Sequence, residues 1–149
     1  MKSDERGDLP AQASESAPVP AHLQTFLAFD YGLRRTGVAV GTRLLRSASP
    51  QASIHAAGDA RFAEVARRIR AWQPDALVVG VPFHPDGASH ENTVRARKFA
   101  RQLHGRFGLP VYEVDERYST TAALAEARTP DADAGAACII LEQFLRSLP

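Results

Sequence analysis

The sequence predicts an α/β domain in which a mixed central sheet of about five strands carries helices on both faces. Short apolar runs of strand length alternate with longer segments whose apolar residues recur every three or four positions, the spacing of one helical face. The order of these segments is strand, strand, strand, helix, strand, helix, strand, helix, helix. Such alternation is typical of a sheet with parallel strands that is covered by helices on both sides.

The N-terminal segment differs in composition from the rest of the chain. Residues 1–25 are rich in Ala, Pro, Ser and acidic side chains and show no apolar periodicity. A segment of this kind buries too little apolar surface to offset the entropy lost on ordering. We therefore predict a disordered tail over residues 1–25 and one domain over residues 26–149, because a chain of 149 residues has the length of a single domain.

The first half of the domain contains three predicted strands and a helix. Residues 26–29 form an apolar run that ends at Asp30, and residues 36–41 are the expected partner of this strand in a hairpin. A third strand is predicted within residues 44–54. Asp59 is a suitable N-cap for the following helix. The apolar positions of that helix recur at helical spacing and are Phe62, Val65, Ile69 and Trp72.

The second half alternates helices with two strands. Residues 76–81 form a continuous apolar run, which is typical of a central strand covered on both faces. The remaining predicted elements are a helix over about residues 89–107, a strand over 110–114, and helices over about 119–128 and 134–146. The strand at 110–114 brings Asp115 and Glu116 to its carboxyl end.

Composition limits the class of protein without identifying it. The net charge is +1, and residues 1–25 hold two basic and four acidic residues, so the domain is mildly basic. This charge is compatible with a polyanionic partner but does not by itself indicate one. No apolar run reaches the roughly 20 residues of a membrane-spanning helix, and the mixed-charge start is unlike a signal peptide. With Cys138 as the single cysteine, we expect a cytoplasmic protein with no membrane attachment.

Acidic residues follow two of the predicted strands. Asp30 ends the first strand, and Asp115 and Glu116 follow the strand at 110–114. An ionised carboxylate beside an apolar strand is unfavourable unless it is paired, hydrogen-bonded or bound to a metal. Ordinary roles are open to these acids, since Asp30 can cap a turn and either member of the pair can bind Arg117.

A further acid stands before the last predicted helix, where Asp133 or Asp131 can serve as the N-cap. Adjacent strand ends gather at one end of a sheet, and a helix packed over that end can bring its first residue there. Carboxylates from Asp30, from the Asp115 and Glu116 pair, and from Asp133 are therefore expected to converge. Hard oxygen ligands of this kind suit Mg²⁺ or Mn²⁺, which keep several waters and bind phosphate oxygens directly.

Basic and hydroxyl side chains adjoin these acids in the sequence. The candidate substrate-binding residues are Arg34, Arg35, Arg117, Ser119 and Thr120. The first two lie in the hairpin loop, where guanidinium groups can hold phosphates or can simply be solvated. The third arginine can contact a phosphate or neutralise the preceding acids. The two hydroxyl residues are expected to cap the next helix, whose free N–H groups can also receive a phosphate.

Four segments of the chain, taken in order, resemble the YqgF/RuvX family. They are AFDYG at 28–32 with RTGVA at 35–39, VGVP at 79–82 with DG at 86–87, VDERYST at 114–120, and DAGAA at 133–137. The match runs over residues 26–148, and VDERYST is its most specific part. The resemblance implies a ribonuclease H-like fold related to the RuvC resolvases, a cytoplasmic location, and a role in maturing the 5′ end of 16S ribosomal RNA.

The same resemblance implies that Asp30, Glu116 and Asp133 are metal-binding catalytic acids, with Asp115 as a secondary candidate. It also favours a site role for the arginine that follows Glu116. The chain departs from the family in one place, because a short link over residues 128–132 replaces a longer, lysine-rich stretch. This departure affects a substrate-gripping loop and the expected placement of Asp133.

The leading interpretation is a metal-dependent endonuclease that acts on precursor ribosomal RNA. A Holliday junction resolvase acting on branched DNA is the alternative enzyme, and it requires a symmetric dimer to cut two strands. The sequence is compatible with a monomer or a homodimer. A nucleic-acid-binding factor without catalysis is a third interpretation. An actin-like ATPase is disfavoured, because such proteins hold nucleotide between two domains and this chain has room for one.

Overall fold

The computed structural model describes residues 18–84, 86–116 and 129–149, which form one five-stranded sheet with helices on both faces. In chain order the elements are β1 (Thr25–Tyr31), β2 (Thr36–Thr42), β3 (Ala48–Ile54), α1 (Gly58–Trp72), β4 (Ala76–Val81), α2 (Glu91–Phe107), β5 (Val111–Asp115) and α3 (Ala132–Arg146). The predicted mixed sheet is confirmed. The helix predicted over 119–128 lies outside the described residues. Within the described part of the chain, none of the helices combines the length and apolarity needed to cross a bilayer.

The strands are ordered β3-β2-β1-β4-β5 across the sheet. β1 and β2 form an antiparallel hairpin that pairs along its whole length, from Thr25 opposite Thr42 to Tyr31 opposite Thr36. β4 runs parallel to β1, and β5 runs parallel to β4. The last residues of β1, β4 and β5 and the first residues of β2 therefore lie at one end of the sheet, which we call its carboxyl end.

Side-chain alternation along the strands divides the core into two layers. β1 directs Phe26 and Ala28 into the layer built on α3, and Leu27 and Phe29 into the layer built on α1 and α2. Phe144 of α3 meets Phe26 edge-on, with ring centroids 5.2 Å apart. The position of a residue in this alternation therefore shows which helix layer its side chain faces.

The start of α1 differs from the prediction. The N-cap is Ala57, which makes no capping hydrogen bond through its side chain, and Asp59 lies inside the first turn. The chain enters the helix through Gly58, whose φ of +60° lies in the left-handed region that glycine tolerates. This entry places the N-terminus of α1 before Asp59. The assignment of Asp59 as the N-cap was therefore wrong, and its exposed carboxylate instead lies 3.5 Å from Arg106.

α2 begins at Glu91, two residues later than predicted, and a histidine caps it. The Nδ1 atom of His90 accepts a hydrogen bond from the N–H of Asn92 at 3.1 Å. The hydroxyl oxygen of Thr93 accepts one from the N–H of His90, also at 3.1 Å. Thr93 in turn donates its hydroxyl hydrogen to the carbonyl of Pro82. The cap therefore ties the start of α2 to the loop that follows β4.

The part of the predicted tail that the structure describes, residues 18–25, makes defined contacts. Leu23 is buried in the α3 layer, and β1 begins at Thr25. The N–H groups of Gln24 and Thr25 donate to one carboxylate oxygen of Asp75 at 2.8 and 3.0 Å. Residues 23–25 therefore pack on the domain, because the buried Leu23 and the carboxylate of Asp75 anchor them. Residues 1–17 lie outside the described residues.

Candidate active site

Asp30 occupies the carboxyl end of β1, where it pairs with Gly37 of β2. It continues the alternation of Phe26 and Ala28, so its side chain faces the α3 layer. Burial, and then the neighbouring carboxylate of Asp133, raise the pKa of Asp30 to about 7. A carboxylate in this position repels a second negative charge and attracts a cation.

Glu116 follows the last residue of β5 and continues the pairing of that strand with β4. Its N–H donates to the carbonyl of Val81 at 3.0 Å. A Cβ atom at Gly80 would lie 2.6 Å from Oε2 of Glu116, so the absence of a side chain at Gly80 makes room for the carboxylate. Burial raises the pKa of Glu116 to about 8, with further contributions from Asp30 and Asp115.

Strand alternation distinguishes Glu116 from Asp115. Tyr112 and Val114 of β5 belong to the α3 layer, and Glu116 continues their series. Asp115 belongs with Val111 in the series that faces α1 and α2. The backbone carbonyl of Asp115 accepts a hydrogen bond from the side chain of Gln143 in α3. The pleat of β5 nevertheless directs the side chain of Asp115 to the other face of the sheet. Glu116 is therefore the member of the pair that shares a face with Asp30.

Asp133 lies in the first turn of α3 and does not cap it. The N-cap is Asp131, whose carboxylate accepts hydrogen bonds from the N–H of Ala134 and from both the N–H and the hydroxyl of Ser53. Of the two caps that the sequence allowed, Asp131 takes the structural role. The Asp133 carboxylate instead lies 3.3 Å from Nε of Arg35, and its side chain is 32% exposed.

A close backbone contact places α3 over the hairpin. A Cβ atom at Gly37 would lie only 1.9 Å from the carbonyl oxygen of Asp133, so the first turn of α3 rests directly on the backbone of β2. Gly37 is also the residue paired with Asp30. This contact explains why Asp133 is close enough to raise the pKa of Asp30.

The three acids that the sequence singled out are thus neighbours at the carboxyl end of the sheet. Asp30 interacts with both Asp133 and Glu116 and is the central member of the group. Over residues 18–84, 86–116 and 129–149, no three acidic, histidine or cysteine side chains already surround one metal position. The donors nevertheless fit a divalent cation, because two of them, Asp30 and Glu116, are partly buried hard carboxylates whose negative charges are mutually unfavourable.

The hairpin loop places two arginines beside this group. Gly32, Leu33, Arg34, Arg35 and Asp133 line a cleft of about 460 Å³. The side chain of Arg35 is 61% exposed while it pairs with Asp133, and Arg34 is also exposed. Two of the predicted substrate-binding residues therefore lie next to the acids. The other three, Arg117, Ser119 and Thr120, lie outside the described residues.

Comparison with known proteins settles the family. A family model described as RuvX, Holliday junction resolvase, matches residues 24–147. The chain belongs to the RuvX family. A relative from Albidiferax ferrireducens is 72% identical over 130 residues, which cover 87% of this chain and 83% of the relative. A second relative, from a Polaromonas species, is 73% identical over 129 residues, which cover 87% and 93%. Both relatives are named as candidate pre-16S rRNA nucleases.

The fold of this RuvX chain is similar to that of a solved resolvase. The structure of T. thermophilus RuvC in complex with a Holliday junction substrate superposes with a TM-score of 0.53. The match covers 83% of this chain and 94% of that chain at 14% sequence identity, a level at which the likeness concerns the fold alone. The ribonuclease H-like fold that the sequence resemblance implied is therefore confirmed.

One residue that adjoins the site of this RuvX chain was not predicted from its sequence. Arg61 of α1 is 4% exposed and holds two carbonyl groups of the hairpin loop. Arginine in an amphipathic helix is usually solvated, so its residue type gave no reason to expect a buried position. Its helical position could have indicated burial, because Arg61 lies four residues before Val65 on the buried stripe of α1.

Proposed function

We propose that this RuvX-family chain is a metal-dependent endonuclease that processes the 5′ end of precursor 16S ribosomal RNA. The observation that supports this function best is the grouping of Asp30, Glu116 and Asp133 at the carboxyl end of the sheet, where the partly buried carboxylates of Asp30 and Glu116 repel each other. The substrate follows from the names of relatives that are 72% and 73% identical to this chain.

The acids are the proposed ligands of Mg²⁺ or Mn²⁺. Asp30 would be the central ligand, because it is the acid that interacts with both of the others, and Glu116 and Asp133 would complete the set. A divalent cation held by these acids would supply an activated water for attack on phosphorus and charge stabilisation of the leaving oxygen. The raised pKa values of Asp30 and Glu116 mean that cation binding and proton binding compete at these carboxylates near neutral pH.

Positive side chains next to the acids are the proposed phosphate contacts. Arg34 and Arg35 adjoin the acids through the cleft that they share with Asp133. Guanidinium groups suit this task because their planar fork matches two phosphate oxygens. Arg117, Ser119 and Thr120 are included in the proposal on the strength of the sequence resemblance. We also propose a cytoplasmic protein that acts as a monomer or a homodimer on nucleic acid.

Cleavage of branched DNA is the second candidate function. It is favoured by the description of the matching family as a Holliday junction resolvase. Such a reaction needs two active sites related by symmetry, since two strands of a junction must be cut. The two functions therefore differ in substrate and in the oligomeric state that each requires.

Metal-dependent cleavage of both substrate classes tests the proposal. The full chain is incubated with Mg²⁺ or Mn²⁺ and either an RNA carrying the 5′ precursor region of 16S rRNA or a four-way DNA junction. We expect cleavage of the RNA, loss of cleavage on chelation with EDTA, and loss of cleavage in Asp30→Asn. Glu91→Gln is the matched control, because the Glu91 side chain is 76% exposed on α2 and forms a surface ion pair with Arg95.

Each other outcome identifies a competing function. Cleavage of the junction alone, by a dimeric species, favours the resolvase. Binding without a metal-dependent product, retained in Asp30→Asn, favours a nucleic-acid-binding factor without catalysis.

A further inference from the structure

A buried arginine holds the loop between β1 and β2 from one side. Arg61 of α1 is 4% exposed although it carries a full charge. Its Nη2 atom donates to the carbonyl oxygens of Gly32 at 2.8 Å and Leu33 at 2.6 Å. Its Nε atom donates to a carbonyl just before α1 at 3.2 Å, and the guanidinium carbon lies 4.4 Å from the centroid of the Tyr31 ring. These contacts fix the loop relative to both β1 and α1.

Because peptide groups are planar, these contacts also fix the direction of the N–H groups on the other side of the loop. In a trans peptide, the C=O of one residue and the N–H of the next point in opposite directions. Because the carbonyls of Gly32 and Leu33 point at Arg61, the N–H groups of Leu33 and Arg34 point away from it. Neither N–H donates to an acceptor within the described residues. Two neighbouring backbone donors are therefore presented on the side of the loop opposite Arg61.

The loop borders the cleft that it shares with Asp133, and Arg61 does not contribute to the cleft lining. Leu33 is 57% exposed, and the Arg34 side chain is exposed beside it. Consecutive N–H groups that point to the same side of a loop can bind one anion together. A guanidinium group next to them adds charge-assisted hydrogen bonds to phosphate. The same loop residues therefore offer both backbone and side-chain donors to one anion.

We propose that Arg61 is a positioning residue that shapes residues 32–35 into a phosphate site. In this site the N–H groups of Leu33 and Arg34 and the guanidinium of Arg34 hold a backbone phosphate of the nucleic acid next to the acidic group. The inference rests on the proposed function for its class of ligand. Its test is a binding measurement, so it does not depend on cleavage.

The experiment measures RNA affinity as a function of salt. Full-length chain carrying Asp30→Asn, which prevents cleavage, is titrated into a labelled RNA with the 5′ precursor region of 16S rRNA. Arg61→Met and Arg61→Lys are each added to this background. Both are expected to weaken binding about tenfold, the order of a lost hydrogen bond to a charged group. Both are also expected to reduce the slope of log affinity against log salt by about one, the value of one phosphate contact.

The lysine variant separates orientation from charge. Lysine keeps the positive charge but lacks the planar fork that bonds two carbonyls at once. Arg67→Met is the matched control on the same helix, because the Arg67 side chain is 63% exposed and pairs with Glu64 of α1. It is expected to bind RNA as the parent does. Full binding by Arg61→Lys would overturn the proposal, since charge alone would then be sufficient.

A variant in the loop tests the backbone donors directly. Leu33→Pro removes one of the two N–H groups at an exposed position, and it is expected to weaken RNA binding without changing the melting temperature. If Arg61→Met does not fold, Leu33→Pro and Arg61→Lys decide the result. Parent-like affinity and salt slope in either of these folded variants would refute the proposal. If the predicted binding losses occur although wild-type chain cleaves no RNA, the phosphate site stands and the endonuclease proposal fails.

Discussion

Acids at the two ends of the same sheet have opposite surroundings. At the amino end, the N–H groups of Thr25 and Gln24 donate to the carboxylate of Asp75, and these bonds hold its pKa below the usual range. At the carboxyl end, burial and neighbouring acids raise the pKa of Asp30 to about 7 and that of Glu116 to about 8. The first environment stabilises a negative charge, whereas the second destabilises it.

The same contrast occurs between two acids of α3 that are two residues apart. Asp131 caps the helix and also binds Ser53, and although burial opposes them, these hydrogen bonds keep its pKa below the usual range. Asp133 is turned toward Asp30 and Arg35. Acids that satisfy backbone donors account for the geometry of the fold. Acids that are brought together against their mutual repulsion need another explanation, and the divalent cation that we propose would supply it.

The largest effect on cleavage is expected from replacing Glu116 and not its neighbour Asp115. Glu116→Gln is expected to lower the single-turnover rate of RNA cleavage in Mg²⁺ by more than about 100-fold, since Glu116 is a proposed metal ligand and losing a ligand exceeds the typical effect of losing its outer partners. Asp115→Asn is expected to change that rate by less than about threefold, because Asp115 belongs to the opposite face of β5. Equal losses in the two variants would show that strand alternation does not define the site.

A smaller effect is expected from disturbing the contact that brings α3 to the hairpin. In Gly37→Ala, the new Cβ atom lies 1.9 Å from the carbonyl oxygen of Asp133, so the start of α3 must move away from β2. We expect a loss of about 1–3 kcal/mol in the free energy of unfolding, as for other overpacked sites, together with reduced cleavage. Urea denaturation and the cleavage assay measure the two effects.

Gly105→Ala is the control for this substitution. Gly105 lies within α2, and a Cβ atom there has no neighbour within 4 Å among the residues that the structure describes, so alanine is expected to stabilise the helix by roughly 0.5–1 kcal/mol. If Gly37→Ala unfolds and cleaves as wild type does, the close contact between α3 and β2 does not position Asp133.

Strand positions were predictable from the sequence because burial on both faces leaves a continuous apolar run. The run at 76–81 coincides with β4, and the run ending at Asp30 lies within β1. Helix starts were less predictable, since they depend on backbone angles that side-chain type does not reveal. Gly58 sets the start of α1 although Asp59 looks like a cap, and His90 caps α2 although histidine is not a typical capping residue.

The acidic group was predictable as a set, because strand ends and a helix start converge in an α/β fold. The roles of its members required the structure. The sequence allowed either Asp131 or Asp133 as the cap, and only the hydrogen bonds of Asp131 resolve that choice. Arg61 was missed because burial of its guanidinium depends on carbonyl groups that come from a distant loop.

The smallest expected effect concerns thermal stability in metal-free buffer, which is expected to depend on pH in opposite ways in Asp30→Asn and Asp75→Asn. The folded-state pKa of Asp30 is raised from 3.8 to about 7. Its contribution to stability is therefore present at low pH and is lost as the pH rises through about 7. Asn does not titrate, so Asp30→Asn is expected to melt about 5 °C higher than wild type at pH 8.5, and this gain is expected to vanish near pH 4.

Asp75 is expected to behave in the reverse way. Because its folded-state pKa is lowered, its contribution is present above the ordinary carboxyl pKa and is lost as the pH falls through the lowered value. Asp75→Asn is therefore expected to melt below wild type at pH 8.5, with a difference that narrows in acid.

Mg²⁺ should raise the melting temperature of wild type and Asp75→Asn at pH 8.5, but not that of Asp30→Asn, because a ligand stabilises only the state that binds it. If both variants shift in the same direction, or if Mg²⁺ stabilises Asp30→Asn as well, the two ends of the sheet do not differ in the way that their surroundings indicate.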